Sequence, residues 1–270
     1  MVGWGYPKVT GVLPITLGSG TKAVGMLMLA DKEYVAVMQL HSRVELDRLQ
    51  EVIKEFTGEV YQRPPVRSSV KRRLRIKKIY EIKILDVNYP YVLLKIACEH
   101  GTYVRKLIHD MGEVLGVGAH MRELRRVKTG PFREGEYLVT MHKLSEAVYL
   151  YKELGDESLL RKYILPVEYV VSHMPKVVIA DGAIDALAHG ADLAIPGIVR
   201  LHEGINKGDV VAILSLKGEL VALGKALMSS QEIMENSKGY AIKNVRVIIR
   251  PGTYPKLWGK YKTITTNTGS

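Results

Sequence analysis

Between Arg63 and Lys78 the chain carries eight Lys or Arg and no acidic residue, in the order Arg63-Pro-Pro-Val-Arg67-Ser-Ser-Val-Lys71-Arg72-Arg73-Leu-Arg75-Ile-Lys77-Lys78. A run of this kind cannot enter an apolar core as unpaired charge, so it has to leave whatever sheet its neighbours build. Its Pro64-Pro65 opening disfavours helix and asks for extended chain. Like charges held together also need a counter-charge. A polyanion supplies one, because Lys and Arg release its condensed counterions; a solvated loop or a localisation signal is the other way such runs are read. The rest of the chain leans the same way, with 39 Lys plus Arg against 28 Asp plus Glu and a net charge of +11. That balance favours a nucleic-acid partner.

Around the basic run the pattern is mixed. Lys32 to His41 alternates, with Tyr34, Ala36, Met38 and Leu40 on one face, and predicts a strand. Ser42 is placed to cap a helix through about Thr57, with Leu46, Leu49, Val52, Ile53 and Phe56 on its stripe and Gly58 as its stop. Ile76 to Val87 and Tyr91 to Glu99 read as a β-hairpin across Asn88-Tyr89-Pro90. Tyr103 to Leu115 carries one apolar stripe and ends at Gly116, which predicts an amphipathic helix. Two more helices are expected at Ser145 to Leu154 and Glu157 to Leu165.

Composition shifts near Ser172-His-Met-Pro175. Beyond it come short elements: a strand at Val177 to Ile179, a helix near Ala183 to His189, and strands at Val210 to Leu216, Glu219 to Leu227 and Ala241 to Ile249. Closely spaced strands suggest a small barrel. The expected architecture is α+β, with residues 1–172 forming a truncated mixed/antiparallel sheet domain with helices. Residues 173–258 form a small all-β pseudo-barrel, and 259–270 a disordered tail. A single cysteine, Cys98, excludes an internal disulfide and fits a reducing cytoplasm. Met1 to Pro7 has no charged n-region and no long apolar core, and no stretch reaches membrane-spanning length, so neither secretion nor membrane insertion is expected.

Several strings coincide with one known pattern. They are Pro7-Lys-Val-Thr-Gly-Val-Leu-Pro14, Lys32-Glu-Tyr-Val-Ala36, the stretch from Gln62 to Lys71, Gly101-Thr-Tyr-Val-Arg105, Gly118-Ala-His-Met-Arg-Glu-Leu-Arg-Arg126 and Gly130-Pro-Phe132. In this order and spacing, from Pro7 to about Trp258, the chain resembles the TruB/dyskerin family of pseudouridine synthases. The likeness is strongest to the archaeal catalytic subunits of H/ACA guide-RNA particles. Gly190-Ala-Asp-Leu-Ala-Ile-Pro-Gly197 and Lys207-Gly-Asp-Val-Val-Ala212 resemble a PUA domain, a small RNA-binding pseudo-barrel.

The resemblance implies isomerisation of uridine to pseudouridine in rRNA or tRNA, with no metal or organic cofactor. The uracil has to leave its stack to be reached, so a cation-lined cleft, a pocket for the base and a carboxylate at the sugar are required. By resemblance, Tyr34 stacks on the base, Arg105 pairs with the catalytic carboxylate, and Tyr103 and Leu124 line the uracil pocket. Taken alone, Tyr34 is an ordinary strand tyrosine, while Tyr103 and Leu124 are packing residues. Arg63, Arg67, Lys71, Arg72, Arg73, Arg75, Lys77 and Lys78 fall in the family's RNA-closing thumb loop. In the second domain, Gly190, Ala191, Asp192 and Leu193 match the loop used near the guide RNA's terminal box. Lys207, Lys217 and Lys225 are candidate phosphate contacts, with Lys176, Arg200 and Arg246 equal to them on charge alone.

One departure stands out. The family motif reads Gly-Thr-Leu-Asp-Pro before Gly-Val-Leu-Pro, and here the Asp position is Tyr6. A phenol, with its ordinary pKa near 10, does not replace that carboxylate. Neither Asp31 nor Glu33, which flank the Tyr34 strand start, sits in the motif. We therefore expect a chain inactive on its own, the downstream piece of a split or interrupted coding sequence, with its apolar sheet face around Val35, Val37 and the Tyr91 to Cys98 strand partly exposed. The implied partners are guide RNA and substrate RNA, a small zinc-ribbon-type protein, a β-barrel protein near the thumb, a kink-turn-binding protein, and a separate N-terminal segment. A stand-alone tRNA pseudouridine synthase and a non-catalytic RNA-binding assembly protein are the alternatives.

Overall fold

The computed structural model describes residues 9–64, 73–135 and 137–256. They form two compact units, one made of Met1–Ile15 with Leu27–Ile164 and the other of Thr16–Met26 with Leu165–Ser270. Tyr6, Arg67, Lys71, Arg72 and the C-terminal tail lie outside the described residues.

In order, the chain forms β1 (Val9–Gly11), a 3-10 turn (Gly18–Ala23), α1 (Val24–Leu29), β2 (Lys32–Leu40), α2 (Leu46–Glu55), β3 (Gly58–Gln62), β4 (Arg75–Asn88), β5 (Tyr91–Cys98) and α3 (Val104–Val114). It continues through β6 (Ala119–Thr129), β7 (Phe132–Arg133), α4 (Met141–Leu154) and α5 (Ser158–Tyr163). The first sheet has the order β1-β6-β2-β5-β4-β3, with β7 beside β6. Among the described strands of this sheet, only the β1–β6 pair is parallel.

The alternation in β2 decides which face is covered. Tyr34, Ala36, Met38 and Leu40 are buried and join Leu49, Val52 and Ile53 of α2 and Leu107, Ile108 and Met111 of α3 in one core. Val35 and Val37, on the opposite face, are half-buried. Helix α3 can lie this close to β6 because Gly112 has no side chain; a Cβ there meets the Ala119 nitrogen at 2.1 Å.

Several expectations need correction. Ser42 does not cap α2: the cap position is Glu45, without a side-chain bond. Glu45 is extended, and ahead of it Val44 is buried with its carbonyl accepting from the Tyr89 hydroxyl. Helix α4 starts at Met141, four residues early, because Thr140 caps it by accepting from the Lys143 amide. The basic run is only partly a loop. Arg75, Lys77 and Lys78 lie in β4, paired with β3 as a ribbon in which Gln62 faces Arg75 and Val60 faces Lys77.

The second unit contains β8 (Lys176–Ile179), α6 (Asp181–Ala188), β9 (Leu193–Ala194), β10 (Ile198–Leu201), β11 (Val210–Leu214), β12 (Leu220–Ala226), α7 (Ser230–Glu235) and β13 (Tyr240–Val247). Its six strands run in the order β10-β8-β11-β12-β13-β9 around a core that includes Val177, Ile179, Val211, Ile213, Val221 and Ile242. It is not wholly β. Besides α6, α7 is set by a capping box between Ser229 and Glu232.

Candidate functional site

Three adjacent strands bring the motif residues of the first unit together. β1 runs beside β6 with Val9 opposite Leu124 and Gly11 opposite Arg126. On the other side of β6, β2 places Ala36 opposite Leu124 and Tyr34 opposite Arg126. The Gly-Val-Leu-Pro string is thus stitched to Arg126: the Val12 amide donates to the Arg126 carbonyl at 2.8 Å, and Arg126 Nε donates to the Val12 carbonyl at 2.8 Å. Gly11 has φ +107, and a Cβ there lies 2.1 Å from the Arg126 oxygen, so the close approach requires glycine.

Tyr34 is 8% exposed, and the Arg126 guanidinium lies near enough to act on its phenol. Burial above all pushes its phenol up to about 12, against the pull of Arg126, so the ring stays neutral. Stacking on an extruded base needs more of the ring than this conformation exposes. Arg126 is itself buried, and desolvation lowers its pKa. Lys32, on the same face of β2, donates to the carbonyls of Leu27, Met28 and Ala30. Burial, then the Arg126 charge, brings it down to about 8.

The carboxylates beside Tyr34 in sequence are engaged elsewhere. Glu33 pairs with Lys95 at 3.2 Å, Lys128 at 3.2 Å and Arg133 at 3.0 Å. Burial opposes its ionisation, but those cations prevail and hold its pKa below the usual range. Asp31 accepts from the Tyr80 hydroxyl at 2.9 Å.

Arg105 is exposed in the first turn of α3, where a cation opposes the helix dipole and gains nothing from it. Tyr103 is the N-cap, half-buried, and its backbone is held from both sides by one buried amide. Gln62 Nε2 donates to the Tyr103 carbonyl at 3.2 Å, and the Tyr103 amide donates to Gln62 Oε1 at 2.9 Å. Leu124 is half-buried against the core. No sequence signal marked Gln62 beyond its place at the head of the basic string.

The described cations of the ribbon divide into two kinds. Arg63, Arg73, Arg75 and Lys78 are exposed. Lys77, by contrast, is buried and bridged to Glu99 at 3.0 Å, so the expectation that it offers its charge to RNA is corrected. Two residues ahead of the core residue Ile79, it belongs to the covered face of β4. Glu99 also accepts from the Lys78 amide at 3.2 Å; burial resists its charge, yet these partners keep its pKa low.

In the second unit Gly190, at φ +94, and Ala191 border a cleft of about 700 Å³ with His189, Asp185 and Lys256. The loop is stapled by Asn244: its amide donates to Asp192 Oδ1 at 2.8 Å, and its side chain donates to the carbonyls of Leu187 at 3.0 Å and Ala191 at 3.1 Å. Asp192 is therefore a brace of the loop. Leu193 is a core residue, 1% exposed, and cannot touch RNA through its side chain. Lys207, Lys217, Lys225, Arg200 and Arg246 are exposed, Lys217 lying over the Tyr254 ring, while Lys176 donates to the Ser172 and Met174 carbonyls. Among the described residues no group of three or more His, Cys, Asp or Glu is placed to hold a metal ion, and no helix is long and apolar enough to cross a membrane.

Comparison with known proteins matches residues 6–104 to the N-terminal domain of the TruB family of pseudouridylate synthases. Residues 105–172 match the C-terminal domain of tRNA pseudouridylate synthase B, and 175–248 the PUA domain. The probable tRNA pseudouridine synthase B of Pyrococcus furiosus is 54% identical over 254 residues, which is 94% of this chain and 75% of that protein. Its counterpart in Methanosarcina barkeri is 50% identical over the same shares. Among solved structures, a Cbf5-Nop10-Gar1 complex matches with a TM-score of 0.89 at 54% identity, over 93% of this chain and 76% of that one. An H/ACA RNP bound to a substrate RNA containing 2'-deoxyuridine matches with 0.86 at 51% identity, over 93% and 76%.

Proposed function

The chain belongs to the TruB family of pseudouridylate synthases, and on that footing we propose that it is the RNA-modifying subunit of an H/ACA-type particle. It isomerises uridine in rRNA or tRNA at sites chosen by a guide RNA. The observation that carries this reading is the strand triplet β1-β6-β2, which seats the Gly11-Val-Leu-Pro14 string, Leu124 and Tyr34 side by side. The likeness to H/ACA protein structures supports the guided form.

In the reaction the bond from ribose to the base nitrogen breaks, the base turns, and a carbon–carbon bond forms, with no atom gained or lost. Tyr34, held neutral, acts as neither acid nor base, and its ring has to be uncovered before a base stacks on it. Arg105 presents a forked guanidinium that suits a carboxylate partner. Leu124 and Tyr103 shape the pocket, and Arg63, Arg73, Arg75 and Lys78 hold phosphates. The same role is assigned to Arg67, Lys71 and Arg72, and residues 173–258 are assigned to guide-RNA binding through the 190–192 loop, Lys207, Lys217 and Lys225. The carboxylate itself is missing from its motif position, Tyr6, so turnover requires an aspartate from elsewhere. The protein partners are a small zinc-ribbon-type protein, a β-barrel protein and a kink-turn-binding protein.

The test is an assay of the chain, complemented with an Asp-bearing motif segment, on one substrate with and without its guide RNA. Product only with the guide supports this reading. Product on tRNA without a guide selects the stand-alone enzyme, and RNA binding with no product under either condition selects a binding or assembly protein.

A further inference from the structure

Both strands of the basic ribbon grip the same five-residue loop, Glu99 to Tyr103, from which α3 departs. From β4, Lys77 Nζ donates to Glu99 Oε1 at 3.0 Å and the Lys78 amide to Glu99 Oε2 at 3.2 Å, while the Glu99 amide donates back to the Lys78 carbonyl at 2.9 Å. From β3, Gln62 holds the Tyr103 backbone through both ends of its amide. Glu99 and Tyr103 are joined inside the loop by Thr102, whose hydroxyl donates to the Glu99 carbonyl at 2.7 Å. Arg105 follows two residues after Tyr103.

The Gln62 contact differs from the rest. Its side chain is 2% exposed, so an amide has been taken out of water to satisfy one backbone donor and one backbone acceptor of a residue 41 positions away. Buried amides are costly unless both ends are paired, and here both are. The pairing is also directional. Only a group with an acceptor and a donor at this spacing fits, which a carboxylate or an alkyl chain does not provide. Because Tyr103 is the N-cap, its backbone position sets where the first turn of α3 begins, and with it the origin of the Arg105 side chain.

We propose that Gln62 is a positioning residue that locks the root of the RNA-gripping ribbon to the first turn of α3, so that RNA seated on the ribbon steadies Arg105. This rests on the proposed roles of the ribbon and of Arg105. Gln62 touches neither substrate nor reacting atoms; it acts through the Tyr103 backbone.

Backbone hydrogen exchange reads the link in the chain as it stands, without turnover. The probe is an H/ACA guide RNA annealed to its substrate strand. In the unchanged chain, RNA is expected to slow exchange about tenfold at residues 58–64 and 73–80 and also at 103–107. In Gln62→Ala the slowing on the ribbon persists and that at 103–107 is lost. Gln62→Glu, which keeps the acceptor for the Tyr103 amide and loses the donor, shows a partial loss and carries the test if the alanine variant does not fold. A residue needed for stability alone raises exchange with and without RNA equally, leaving the RNA-induced difference at 103–107 intact; that result overturns the proposal. So does slowing on the ribbon of the unchanged chain with none at 103–107. Slowing at neither place defeats the RNA-gripping reading of the ribbon itself, and the proposal with it.

Discussion

Arg126 and Val12 bind each other twice, amide to carbonyl at 2.8 Å and Nε to carbonyl at 2.8 Å. One buried cation therefore fixes the path of the chain as it leaves the Gly11 turn. Arg126→Met keeps the volume and removes the donors. It is expected to destabilise the first unit by about 1–3 kcal/mol, the cost of a buried acceptor left unpaired. Gly11→Ala is expected to cost at least ~1–3 kcal/mol for its positive φ alone. Chemical denaturation of each variant against the unchanged chain measures both.

Lys77 and Lys78 are neighbours with different duties. Lys78→Ala should weaken RNA binding and reduce the dependence of log K on log salt by about 0.7–0.9, the share of one phosphate contact. Lys77→Ala should leave that slope unchanged while lowering the melting temperature, because it strands Glu99 in a partly buried position. Salt-titrated binding and a thermal melt separate the two.

The buried ammonium of Lys32 makes stability depend on alkaline pH. Its folded pKa of about 8 lies below its ordinary 10.5, so between those values the unfolded chain binds more protons than the folded one. Stability from this group therefore rises with pH from about 8 towards 10.5. Cys98, pushed up to about 11, and Tyr34, up to about 12, act in the opposite sense at the top of that window. The difference between the unchanged chain and Lys32→Met isolates the lysine. It should grow in favour of the unchanged chain as pH rises from 8, measured by urea unfolding across the range.

What the sequence made legible was the elements with a sustained apolar period. The alternation of β2 and β5 and the stripe of α3 each bury one face, and each could be read directly. β6 escaped because six of its eleven residues are His, Arg, Glu or Lys, although it lies between β1 and β2. α7 was missed for its six-residue length, despite the Ser229-x-x-Glu232 signature. Of the site, residue types were legible and orientation was not. Lys77 and Leu193 look like surface candidates until pairing with core neighbours turns them inward. Gln62 is invisible in sequence, since its partner is backbone 41 residues away.

Asn244 braces the 190–192 loop with one backbone and two side-chain bonds. Asn244→Ala should loosen that loop without unfolding the second unit and weaken guide-RNA binding about tenfold, the effect of ~1.4 kcal/mol. A guide RNA stripped of its terminal box should bind the unchanged chain and the variant alike. Equilibrium titration of both RNAs against both proteins checks it.

The proposed function has this chain grip RNA and seat the uracil, with Tyr6 where the family carries its aspartate. Its most direct test is the yield of pseudouridine, by mass spectrometry of digested substrate, from the chain with guide RNA and partner proteins, with and without a segment carrying the family's aspartate motif. Product is predicted only with that segment, and not when its aspartate is changed to asparagine. Pseudouridine formed by the 270-residue chain without it contradicts the account.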